Sequence, residues 1–162
     1  MSLAADWVCG FTDGEATFFI SIEKQPKMVL RKQVRLGFKI TQGEKNTQVL
    51  YKIKEFFGVG IVKPQRSDGS VWEYRVSNFK TISNHILPFF SKHKLHTTKK
   101  FDFIRFRYVY LMMMRGEHLT LEGLTKIERI RSKMNSSFTG KQTPFPSSTP
   151  ESGGVEGRVL PT

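Results

Sequence analysis

Cysteine is almost absent: Cys9 stands alone among 162 residues, so no disulfide framework, cysteine-based zinc site or redox pair is available within the chain. A reducing compartment suits such a chain. Acid is scarce as well. There are 14 Asp+Glu against 26 Lys+Arg, a formal net charge of +12, and this one-signed balance excludes a disordered polyampholyte. No apolar run approaches the ~20 residues that a membrane span needs. The opening MSLAADWVCGF carries neither a basic n-region nor the Arg/Ser-rich character of an import signal, so no membrane contact and no leader are expected. What is present is a core: hydrophobic residues make up 38% and 14 are Phe, enough for one ordinary domain. With a pI near 10.0, clustered Lys and Arg concentrate polyanions and release their counterions. Nucleic acid is the first partner to expect.

Composition divides the chain. Residues 140–162 hold four of the seven prolines and lack apolar periodicity, which reads as a disordered Pro/Ser/Gly tail or linker. Its Lys141 and Arg158 cancel Glu151 and Glu156, so the whole positive charge belongs to a domain at residues 1–139.

Within that domain, residues 3–14 read as a short helix, followed by a change from period 3.6 to period 2. Residues 17–24 and 32–41 read as strands. In the second, Val34, Leu36, Phe38 and Ile40 alternate with Gln33, Arg35, Gly37 and Lys39, the pattern of a sheet with one buried face and one basic wet face. Residues 47–57 return to helical spacing and end at Gly58, where a left-handed cap fits. Strands are expected at 59–65 and 71–77 around the turn RSDGS, then helices at 80–90, 98–114 and 120–134, the last capped by Thr120. The repeated αββ order predicts an α+β fold with an antiparallel four-stranded sheet and helices on one face. The other face is free to touch a ligand.

Residues 7–18, WVCGFTDGEATF, carry two oddities. Gly10 and Gly14 lie four apart on one helix face, where each glycine costs roughly 1 kcal/mol relative to Ala, a cost that makes sense where another backbone must approach closely. Asp13 and Glu15 sit at the helix C-terminal end, against the negative end of the dipole, unless a cation compensates. A divalent metal would be that cation.

The run VCGFTDGEA resembles the LAGLIDADG motif of homing endonucleases. KITQ at 39–42, FGVG at 57–60, TTKKFDF at 97–103, EHLTLEGLTKI at 117–127 and IRSKMN at 130–135 resemble later landmarks of the fungal organelle branch, extending the likeness over about residues 5–136. The sequence departs from the family pattern at Ala16, usually glycine, and at Val8–Cys9, usually Leu–Ala. The resemblance implies an αββαββα half-domain whose motif helices, through Gly10 and Gly14, pair at a two-fold or pseudo-two-fold axis, the two sheets forming a saddle over double-stranded DNA. It implies that Glu15, with the carbonyl of Gly14, holds Mg²⁺, with about two or three divalent ions per dimeric site. It implies metal-assisted phosphodiester hydrolysis in which Gln42 and Lys99, or Lys100 in its place, surround the attacking water. With one motif copy present, a homodimer is the first expectation, and half of a two-motif enzyme or an excised domain is the other. A binding-only use of the saddle, as an intron RNA maturase or a DNA-binding protein, is the alternative function. The resemblance further implies an intron-encoded origin in a mitochondrion or a plastid.

By position in that family, base or phosphate contacts fall on Ser21, Glu23, Gln25, Gln33, Arg35, Lys39, Lys63, Gln65, Glu73 and Arg75. Lys24, Lys27, Arg31, Lys32 and Arg66 in the loops are expected to meet phosphates. Asp13 is read as a supporting acid, Cys9 as a packing residue at the helix interface, the four histidines as surface or capping residues, and the Tyr108–Tyr110 and Met112–Met114 runs of one helical stretch as core.

Overall fold

A computed structural model describes residues 2–135; the tail expected at 140–162 lies outside the described residues. The chain runs α1 (Ala5–Glu15), β1 (Ala16–Lys24), β2 (Lys32–Gly43), α2 (Thr47–Phe57), β3 (Ile61–Pro64), β4 (Val71–Val76), α3 (Phe79–Thr81), a π turn (Ile82–Ile86), α4 (Leu87–Lys92), α5 (Lys99–Met114) and α6 (Leu121–Ser132). The four strands form one sheet in the order β1-β2-β4-β3, every neighbouring pair antiparallel. The expected α+β architecture is therefore present.

One face of the sheet builds the core. Phe18 and Ile20 of β1, Val34, Leu36, Phe38 and Ile40 of β2, and Tyr74 and Val76 of β4 are all buried, beneath Leu50, Ile53 and Phe57 of α2 and Phe103, Phe106 and Val109 of α5. Phe18 is the hub: its ring lies 5.1–5.4 Å from those of Phe38, Phe90, Phe103 and Phe106, distances at which aromatic pairs add to simple area burial. Both expected caps form. Gly58 takes φ +70° and donates its N–H to the Lys54 carbonyl, and Thr120 Oγ1 accepts from the Gly123 N–H at 3.0 Å.

Several boundaries move for physical reasons. β3 begins at Ile61 rather than 59 because Gly60 is at φ +91°, which turns the backbone out of the extended region, while the Val59 carbonyl accepts the Tyr74 hydroxyl at 2.9 Å. The helix expected at 80–90 is a composite: Pro88 has no N–H for the preceding turn, and the chain widens so that Leu87 N–H reaches the Ile82 carbonyl. Within the stretch expected to be core, Met112 is buried whereas Tyr108 and Met114 are exposed, and Lys126 Nζ sits over the Tyr108 ring and 2.6 Å from its hydroxyl. His118 is half-buried rather than at the surface, its Nδ1 buried without a partner, and burial pushes its pKa down. Among the described residues, no helix is long and apolar enough to cross a membrane.

Candidate active site and nucleic-acid interface

Helix α1 runs into β1 without a loop, so Glu15, its last residue, stands at the junction with its side chain exposed. Ala16 follows at φ −86°, ψ 163°, an extended conformation open to any residue, so the departure from glycine there imposes no strain. The junction gathers the three sequence-predicted catalytic residues from three separate elements. Gln42, near the end of β2, donates Nε2–H to Glu15 Oε2 at 3.0 Å. Lys99, first residue of α5, donates from Nζ to the Ala16 carbonyl. Lys100 instead lies over the Phe101 ring at 5.1 Å.

Lys99 is half-buried, and that burial pulls its pKa below the ordinary lysine value against the opposing pull of Asp102, Asp13 and Glu15. Asp102, one turn along α5, has its pKa raised by burial, with the Asn135 N–H, Arg105 and Lys99 acting the other way. Asn135, at φ +51°, also donates from Nδ2 to the Phe18 carbonyl at 2.7 Å. Asn46 donates to Gln42 Oε1 at 3.4 Å. The sequence reading missed both Asn46 and Asn135. Asn135 closes the IRSKMN run at 130–135, which was a usable signal; Asn46, four residues beyond Gln42, had none.

Asp13 turns away from Glu15 and ties α1 to the start of α5. Its carboxylate accepts the His96 N–H at 2.9 Å, the Thr97 N–H at 3.0 Å and the Thr97 hydroxyl at 2.7 Å; Thr97 Oγ1 in turn accepts the Lys99 N–H at 3.3 Å. Burial would raise the Asp13 pKa, but these donors outweigh it and hold the carboxyl below its ordinary value. A carboxyl depressed in the folded state adds stability above its unfolded value, lost as pH falls through the folded value. Asp13→Asn is expected to destabilise the chain by about 1–2 kcal/mol at pH 7. In urea titrations the gap from wild type narrows as pH drops below 3.8.

The outward face of α1 meets no partner among the described residues. A Cβ built on Gly10 or Gly14 meets nothing within 4 Å, and beside them Trp7, 43% exposed, stacks on Phe11 at 4.9 Å. Cys9 lies on the opposite, inward face: it is buried, and its Sγ–H donates to the Lys94 carbonyl at 3.1 Å. It therefore packs inside the chain rather than at the expected helix interface. Burial, then Asp13 and Asp6, push its thiol pKa up.

Strand alternation places Ser21, Glu23, Gln33, Arg35, Lys39, Lys63, Glu73 and Arg75 on the sheet face away from the core. Gln25 and Gln65 lie just beyond strand ends, where backbone bonds to Arg31 and Val71 extend the pairing. Most of this set is exposed or half-exposed. Glu73 is the exception, at 2%.

The family profile described as LAGLIDADG endonuclease matches residues 8–110. The chain belongs to the LAGLIDADG endonuclease family. The homing endonuclease I-TnaI superposes with a TM-score of 0.79 at 40% identity, covering 85% of this chain and 91% of that one. The I-LtrWI LAGLIDADG homing endonuclease bound to target DNA gives 0.79 at 39%, covering 83% of this chain and 45% of that one. A probable intron-encoded endonuclease of Neurospora crassa is 34% identical over 82% of this chain. This LAGLIDADG chain spans about a third or less of the length of the first curated relatives it matches, from 22% to 33%.

Proposed function

We propose that this LAGLIDADG chain is a site-specific DNA endonuclease that cuts both strands of a long target, acting as a homodimer with one motif per chain. The observation that carries this reading is the convergence of Glu15, Gln42 and Lys99 beside a basic sheet face. Glu15 and the Gly14 carbonyl are oxygen donors at the negative end of α1, which has no basic residue in its last turn. Such hard donors fit Mg²⁺, which takes one or two carboxylates and keeps several waters. In the homodimer reading, the Glu15 of a second copy joins the first at the same site. When bound, Mg²⁺ activates water and stabilises charge on the leaving oxygen.

The chain's own residues do the remainder. Gln42, braced by Asn46, fixes the Glu15 carboxylate. Lys99, with its pKa lowered by burial, supplies a positive group at the junction that gives up a proton more readily than a solvated lysine. The exposed α1 face with Gly10 and Gly14 receives the same helix of a second copy. Arg35 on the outer face reads a base, so Arg35→Ala is expected to relax one position per half-site by about 1–3 kcal/mol, read in competition binding. The intron-encoded relatives support an origin in an organelle intron. The test is selection of duplex from a randomised library followed by Mg²⁺ or EDTA: Mg²⁺-dependent cutting of both strands supports the proposal, while tight binding without cutting favours a binding-only role on DNA or intron RNA.

A further inference from the structure

Glu73 is the one buried charged side chain among the described residues, yet it belongs to the wet face of the sheet. Its carboxylate is covered by two cations. Oε1 lies 3.1 Å from Arg75 Nε and 3.7 Å from Lys63 Nζ, and Oε2 accepts from Arg75 Nη2 at 3.4 Å. The Nε pairing is an ion contact rather than an aligned hydrogen bond. The Glu73 side chain is 3% exposed and that of Arg75 31%, so a base approaching this face meets the guanidinium and not the carboxylate.

A guanidinium has more than one donor edge. Glu73 faces the Nε/Nη2 edge, which leaves the Nη1/Nη2 end of the fork as the donor pair suited to guanine O6 and N7. A second wall comes from β1. The Phe19 ring lies 5.2 Å from the Arg75 guanidinium and 5.5 Å from Lys39 Nζ. It reaches that place by crossing β2 over Gly37, its cross-strand partner, where a Cβ would overlap the ring. A planar cation held between a carboxylate and an aromatic face has little rotameric freedom left to lose on binding.

Resting on the nuclease reading above, we propose that Glu73 reads no base itself and is instead the buried positioning residue that fixes Arg75, with Phe19 over Gly37 as the opposing wall. One base pair per half-site is then specified by Arg75 in a pose set by residues that never touch DNA. Glu73 also lowers the charge this patch presents to phosphates, so it contributes selectivity at the expense of non-specific affinity.

The experiment is competition binding of wild type, Glu73→Gln, Gly37→Ala and Arg75→Ala to the selected duplex and its single-base-pair variants. All three variants are expected to lose about five- to hundredfold discrimination at the same base pair. Glu73→Gln should keep or raise affinity for random duplex, whereas Arg75→Ala lowers it. Loss at different base pairs for Glu73→Gln and Arg75→Ala, or full discrimination retained by Glu73→Gln, overturns the proposal. Should Glu73→Gln fail to fold, Arg75→Lys keeps the ion pair without the fork, and its undiminished discrimination overturns the proposal as well. A wild type with no sequence preference refutes the nuclease reading itself, and this assignment with it.

Discussion

Glu15→Gln is expected to abolish double-strand cleavage while leaving specific binding within about 1–2 kcal/mol of wild type. The substitution keeps the shape and the hydrogen-bonding reach toward Gln42 but removes the negative charge that a divalent cation requires. A metal's stabilisation of the cleavage transition state is worth several kcal/mol, so the single-turnover rate should fall by about a thousandfold or more. Binding is spared because an unmetallated carboxylate repels phosphates rather than attracting them. Rate measurements on preformed complexes separate the two effects. A variant that still cuts at a rate within tenfold of wild type would remove Glu15 from the catalytic role.

Gly10→Leu is expected to have the second largest effect, and in two directions. Replacing a helical glycine by a good helix former removes a penalty of about 1 kcal/mol, and nothing among the described residues stands within 4 Å of the new Cβ. The isolated chain should therefore hold its melting temperature or gain a few degrees. The same side chain would separate two α1 helices whose backbones need close approach, so self-association and cleavage should both collapse. Thermal melts and light scattering on the same sample decide it. Loss of fold would show that glycine serves the chain's own packing; an intact dimer would show that α1 is not the interface.

Much of the fold was legible because period and punctuation agreed. The alternation from Val34 to Ile40 predicted a buried and a wet face; all four apolar positions are buried, whereas Gly37, expected on the wet face, is buried beneath the Phe19 ring. Gly58 and Thr120 announced helix ends through residues that only those positions favour. The errors came where two signals compete. Pro88 lies inside a stretch of helical spacing, and its missing N–H converts the preceding turn rather than ending the helix. Gly60 sits among β-formers but bends the chain before Ile61.

Glu15 stood out as an acid at a helix C-terminus, but Gln42 and Lys99 were legible only through the LAGLIDADG resemblance. The ties that assemble it are long-range: Asp13 meets His96, 83 residues away, and no period or spacing encodes such a contact. The burial of Glu73 was hidden for a related reason. Alternation assigns a residue to a face, but depth on that face depends on what the neighbouring strands place over it, here Lys63 and Arg75.

In the proposed homodimer, a functional site takes two Glu15 carboxylates, one from each copy of this chain. The most direct measurement is the solution mass, by light scattering, of the complex with a selected duplex in Ca²⁺, followed by exchange into Mg²⁺. Two chains on one duplex with a near-palindromic sequence, and breaks in both strands once Mg²⁺ enters, are the expected result. One chain per duplex, bound to a single half-site and leaving both strands whole in Mg²⁺, would contradict it.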